Sequence, residues 1–129
     1  MTASLTDFAA GHVFEPVRFT ITAADAFAYR EAVSDRVPAS GIVPPLAVAA
    51  IVLGKLLEQV GLPPGSLHAS ESLTFAHAVT EGSELECNTR LSQRSVRGGW
   101  VVSVLDTEIA AGGATAVSAR ATVLSPQPQ

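Results

Sequence analysis

Apolar residues take odd positions at the start of the chain: Val13, Val17, Phe19 and Ile21, with Arg18 and Thr20 between them. That period-two alternation predicts a strand. The stretch from Thr22 to Asp25, "TAAD", has the form of a capping box and predicts a short helix running to about Val33. Ser34 to Val43 reads as a loop. After Pro44 and Pro45 the chain is apolar without a break from Leu46 to Leu53. Pro45 suits a first helical turn, where a missing N–H costs nothing. The helix expected over Pro45 to Val60 is apolar all round at its start and amphipathic later, where Gly54, Lys55, Glu58 and Gln59 occur. Gly61 and "LPPG" end it.

Beyond this helix the pattern returns to period two. Leu67, Ala69, Leu73, Phe75 and Val79 alternate with polar positions, as do Leu85, Cys87 and Leu91 with Glu84, Glu86, Asn88 and Arg90. Gly98-Gly99 and Gly112-Gly113 then separate "WVVSVLDTEI" and "ATAVSARATVL", as glycine pairs do in hairpins. The order is strand, short helix, long apolar helix and four antiparallel strands. An apolar helix needs cover, and an antiparallel sheet of five or six strands curled around it supplies that cover. The expected class is therefore α+β with the hot-dog arrangement, in one domain over residues 1–129 with a frayed tail at 125–129. Such a sheet keeps an open edge, so pairing of two copies edge to edge is expected.

Composition narrows the partners. The chain has 129 residues, 47% hydrophobic and only 5% aromatic, so its core is built from small side chains. The formal charge is −4 and there is no basic stripe, which argues against nucleic acid. The single Cys87 cannot form an internal disulfide, as suits a reducing cytosol. No signal-peptide pattern is seen in the first fifteen residues, no membrane span is expected from a helix containing Lys55, and the expected location is cytoplasmic. No His, Cys or carboxylate cluster has metal-ligand spacing, and no cofactor is expected.

Three stretches carry a resemblance: "FAYREAVSD" before the loop, "GIVPPLAVAAIV" at the helix and "LHASESLTFAHAVTEGSELEC" after it. They resemble the MaoC-like hot-dog dehydratases, most of all the N-terminal domains of fatty-acid-synthase-type dehydratases, over roughly Gly11 to Leu124. In the last stretch the matching positions are Leu67, His68, Glu71, Phe75, Val79 and Gly82. The resemblance implies binding of an acyl thioester of coenzyme A or acyl carrier protein, with the pantetheine arm at a subunit interface and the acyl chain beside the central helix. It puts Gly41, Ile42, Val43, Leu46 and Ala47 at the acyl pocket. It implies either a homodimer or a heterodimer with a hot-dog subunit that carries the catalytic His.

Hydration of an enoyl thioester needs an acid/base pair and a donor for the enolate-like oxygen. The family pattern supplies an Asp and a His. Asp35, after Ser34, falls at the Asp position; "RVPASG" (Arg36 to Gly41) contains no His. Pro44 and Pro45 have no N–H to offer at the helix start, which leaves Leu46 or Ala47 as donors. Asp35 is therefore either a catalytic acid/base or a simple cap. Glu71, on an otherwise apolar face, marks a bend in its strand or lines a pocket. His68 and His77 fall on opposite sides by parity and read as rim residues rather than a dyad. Arg97, at a hairpin tip, is solvated or touches a coenzyme A phosphate, and Cys87 is a small core residue. Three functions follow: a dehydratase using Asp35, a non-catalytic acyl-thioester-binding subunit, and a thioesterase in which Glu71 activates water. The missing His favours the second on mechanism.

Overall fold

The structure, a computed structural model, describes residues 4–35 and 41–128. β1 (Val17–Thr20) is shorter than the apolar alternation predicts, because Val13 joins the sheet only through an isolated bridge to Arg90. Thr22 caps α1 (Ala23–Ala32): the Asp25 amide donates to Thr22 Oγ1 at 3.1 Å and the Thr22 amide to Asp25 Oδ2 at 2.9 Å. This reciprocal box satisfies two donors that a helix start leaves open. At the other end Ser34 adopts φ 57°. The Ser34 amide then reaches the Glu31 carbonyl and the Asp35 amide reaches that of Arg30, at 3.3 and 2.9 Å. That is a Schellman ending with serine in the place glycine usually takes.

α2 (Pro45–Gln59) starts with Pro45 at its first turn and stops at Val60, where the backbone becomes extended. Ala47, Val48, Ala49, Val52 and Leu56 form its buried face. They lie on one side of a five-stranded sheet whose order is β1-β3-β4-β5-β2, all neighbours antiparallel. The remaining strands are β2 (Leu67–Phe75), β3 (Glu84–Arg97), β4 (Trp100–Ala111) and β5 (Ala114–Pro126). Gly98-Gly99 and Gly112-Gly113, all at positive φ, make the two tight hairpins. Two positive-φ residues in a row match the twist of the flanking strands, a conformation glycine adopts without steric penalty.

The core has two parts. At the start of α2, Val43, Ala47, Val48 and Val52 pack on Leu85, Cys87, Ile109 and Val117. At its end, Leu56 and Val60 pack on Leu91, Leu105 and Val123, with Leu5 and Phe14 closing the side. Burial pushes the Cys87 thiol up to about 11, so it behaves as a small hydrophobic side chain.

One expectation is corrected. The tail does not begin to fray at residue 125: Ser125 is fully buried, receives a hydrogen bond from Ser66 Oγ at 2.9 Å, and Pro126 pairs with Trp100. β5 follows β4 along its whole length, so pairing extends past the last apolar position. The sheet covers the buried face of α2. Leu46 remains 59% exposed, and Ala50, Leu53 and Leu57 continue the same helical stripe, exposed or half-buried.

Candidate functional site

Leu53, on the open stripe of α2, shares a small cavity with Glu71 of β2. β2 is an edge strand, paired only with β5. Its Leu67 is 54% exposed and its Phe75 42%. Its outer row of backbone donors and acceptors is thus open to a partner strand.

The loop-to-helix junction is held by Arg30. Its Nη2 donates to the Ile42 carbonyl at 2.7 Å, and its Nη1 lies 3.4 Å from Glu81 Oε1. The carbonyl of the same Arg30 takes the Asp35 amide. Asp35 and Gly41–Val43 therefore meet at one end of the molecule. Gly41 and Val43 are pinned by backbone bonds as well: Glu81 N–H to Gly41 O, and Val43 N–H to Val79 O, both 2.8 Å. The positive φ of Gly41, 78°, suits glycine at this turn.

The residues expected at the pocket separate here. Val43, 1% exposed, and Ala47 belong to the core cluster, whereas Ile42 and Leu46 face outward. The first helical turn has little to offer an anion. Pro44 and Pro45 carry no N–H, and the amides of Ala47 and Val48 are directed at the Pro44 carbonyl, at 2.9 and 3.3 Å. Leu46 supplies the remaining amide of that turn. Arg97 stands at the far end: it pairs with Trp100, some ten residues along β3 from Cys87, or about 30 Å at the usual rise. It is not brought to the junction within this chain. The segment 36–40, which the resemblance places beside the catalytic His position, lies outside the described residues.

Glu71 faces the middle of α2. It pairs with Ala121, and His68 pairs with Val123, two residues along β5 and buried on the same face. A bulge between His68 and Ser70 puts Ala69 out of register. The extra residue turns His68 onto the face that carries Glu71, and Nε2 of His68 lies 2.9 Å from Oε2 of Glu71. Parity alone put residues 68 and 71 on opposite faces; His68 is exposed at the rim, as expected there, but reaches Glu71 across the bulge. A His three residues before a Glu on an apolar face was the available signal; nothing in the sequence marks the bulge. His77 lies beyond the end of β2 and is exposed.

Beside Glu71 is a cavity of about 20 Å³ between Val52, Leu53 and Leu56 of α2 and Leu105 and Thr107 of β4. It has room for about one oxygen-sized group. A larger hollow, about 570 Å³, lies over the opposite face of the sheet. It is a shallow groove across solvated side chains, where Arg120 already holds Asp106 through two bonds of 2.7 and 3.0 Å. The apolar surface and the convergent polar groups lie on the α2 side, which makes that side the candidate site. Among the described residues no group of three His, Cys, Asp or Glu side chains is placed to hold a metal ion. No described helix is long and apolar enough to cross a membrane.

No family model matches the sequence, and no curated protein does. Solved structures do match. An (R)-hydratase from A. caviae involved in PHA biosynthesis is 24% identical, with a TM-score of 0.76 over 94% of this chain and 98% of that one. A MaoC-like dehydratase from Rhodospirillum rubrum is 20% identical, with a TM-score of 0.73 over 98% of each chain. A chain of the HadBC (3R-hydroxyacyl-ACP dehydratase) complex from Mycobacterium tuberculosis is 16% identical, with a TM-score of 0.68 over 90% of this chain and 96% of that one. With five antiparallel strands laid against one apolar helix and these likenesses along nearly its whole length, the chain has the hot-dog fold.

Proposed function

We propose that this chain is an acyl-thioester-binding hot-dog subunit of the dehydratase type, with its own acid/base equipment reduced. One observation carries the reading: the sheet leaves the apolar stripe Leu46–Leu53–Leu57 uncovered, and its Leu53 shares a cavity with Glu71 of the edge strand β2. A second hot-dog subunit paired along β2 converts that stripe into a slot, and an acyl chain is the kind of ligand such a slot accepts. Likeness to an (R)-hydratase and to a hydroxyacyl-ACP dehydratase complex supports the thioester class. The partner is a second copy or a hot-dog subunit bearing the catalytic His, and the thioester carrier is coenzyme A or acyl carrier protein. The lone, buried Cys87 suits the cytoplasm.

In this reading Ile42 and Leu46 border the slot and Gly41 shapes its mouth, while Val43 and Ala47 support it from the core. Asp35 is the one acid/base group carried over. Without the His, and with prolines at the helix start, two contributions to rate are weakened. A positioned acid/base group typically contributes about 10²–10⁴-fold and an oxyanion donor about 10²–10³-fold.

The test is calorimetric titration of the purified chain with acyl-coenzyme A, followed by hydration of crotonyl-coenzyme A. Binding with little turnover alone, and turnover on adding a His-bearing hot-dog subunit, is the expected result. Robust turnover alone that collapses in Asp35→Asn makes the chain an autonomous dehydratase. Release of free thiol that depends on Glu71 makes it a thioesterase. No binding of any acyl thioester removes the proposal.

A further inference from the structure

The His68–Glu71 pair is out of place on an alkyl-binding surface. The Glu71 side chain is 21% exposed and lines the cavity with eight aliphatic side chains and Thr107. An alkyl chain laid over this carboxylate takes it out of water and returns no hydrogen bond, which is costly. One histidine bond does not exhaust a carboxylate, which has two oxygens and about four acceptor positions. The groups that satisfy it are donors.

The location sets where on a ligand such a donor lies. Leu53 belongs both to the open stripe of α2 and to the cavity wall. It is two helical turns from Leu46 at the junction, or about 10 Å along the axis. The cavity beside it accepts one oxygen-sized group. Bond, distance and volume agree on a hydroxyl.

We propose that Glu71, oriented by His68, is a recognition site for a hydroxyl carried on the acyl chain several carbons from the thioester. The inference rests on the acyl-thioester reading and narrows its substrate class from plain alkanoyl to hydroxylated acyl groups. His68 is a positioning residue: its Nε2 fixes one carboxylate oxygen and partly compensates the charge, so the other oxygen is presented to the cavity. The bulge at Ala69 is what makes the arrangement possible, since a regular strand turns His68 away.

The test is calorimetric binding of decanoyl-coenzyme A and of its positional hydroxy isomers to the full chain and to two variants. For the natural chain, one isomer hydroxylated towards the distal end binds roughly 10- to 100-fold more tightly than the unsubstituted chain, as expected for a hydrogen bond to a charged group. Glu71→Leu inverts the order, weakening that isomer and strengthening decanoyl binding, an outcome that general loss of structure does not produce. His68→Gln, which keeps a donor towards Glu71, retains the preference. Equal binding of all isomers, tightest binding of the isomer hydroxylated next to the thioester, or an unchanged order in Glu71→Leu overturns the inference while leaving acyl-thioester binding intact. If no acyl thioester binds, the parent reading fails instead.

Discussion

Arg30 and Ile42 are joined by a 2.7 Å bond from the guanidinium to the main-chain carbonyl, which fixes the end of α1 against the start of α2. The same guanidinium faces Glu81, and both side chains are largely buried. Removing one member leaves the other charge without its partner. Arg30→Met should therefore cost about 3 kcal/mol of stability. The double variant Arg30→Met/Glu81→Leu should recover part of that loss. Urea unfolding of the three proteins checks both numbers; equal loss in single and double variants would refute the pairing.

Val43 and Ile42 are neighbours in sequence with opposite fates, and substitution separates them. A carboxylate at position 43 enters the core cluster of Ala47, Val48, Leu85 and Ile109 with no partner. Val43→Asp should lose several kcal/mol and fail to show a cooperative transition. Ile42→Asp, at an exposed position, should stay within about 0.5 kcal/mol of the natural protein. It should nevertheless bind acyl-coenzyme A less tightly. Thermal melts and titration calorimetry distinguish the two effects.

The β2 edge is testable through assembly. Phe75 lies near the end of that edge with 42% of its surface exposed. Sedimentation should find the natural chain as a dimer. A lysine there puts a charge on the apolar edge and opposes strand addition, so Phe75→Lys should shift the chain towards monomer. A natural chain that sediments as a monomer at high concentration, with no His-bearing hot-dog subunit present, would leave the heterodimer as the remaining assembly.

Asp106 and Arg120 offer a pH signature on the outer face. The two-bonded Arg120 holds the Asp106 carboxyl below its ordinary 3.8. A carboxyl lowered on folding stabilises the native state above its unfolded value, and this contribution disappears as pH falls through the lower folded value. The pair is largely solvated, so its contribution is small. Asp106→Asn should be slightly less stable than the natural chain near neutrality and equal to it at the acid end. Stability curves from pH 7 down to about 2 follow the difference.

Much of the architecture is local and was readable before any coordinates. Alternation over 84–91 and beyond marks strands because successive side chains point to opposite faces. Thr22 and Asp25 announce a helix start because they satisfy each other's amides, and the glycine pairs announce hairpins because few other residues tolerate their φ values. Pro44 and Pro45 announce a helix start poor in donors by their chemistry alone.

The site is another matter, because it depends on pairing between distant segments. Whether Val43 or Ile42 turns inward follows from the bonds that residues 41–43 make with 79–81. Whether Leu67 and Phe75 meet the core or solvent follows from β2 lying at the edge, beyond β5. That Arg97 lies far from the loop-to-helix junction follows from the direction of β3. Most of all, His68 and Glu71 share a face only because β2 slips by one residue against β5 at Ala69. In the sequence that slip is invisible. Side-chain direction in a strand is set by counting from the register, and the register is decided by what the neighbouring strand can pair with and bury, not by the strand itself.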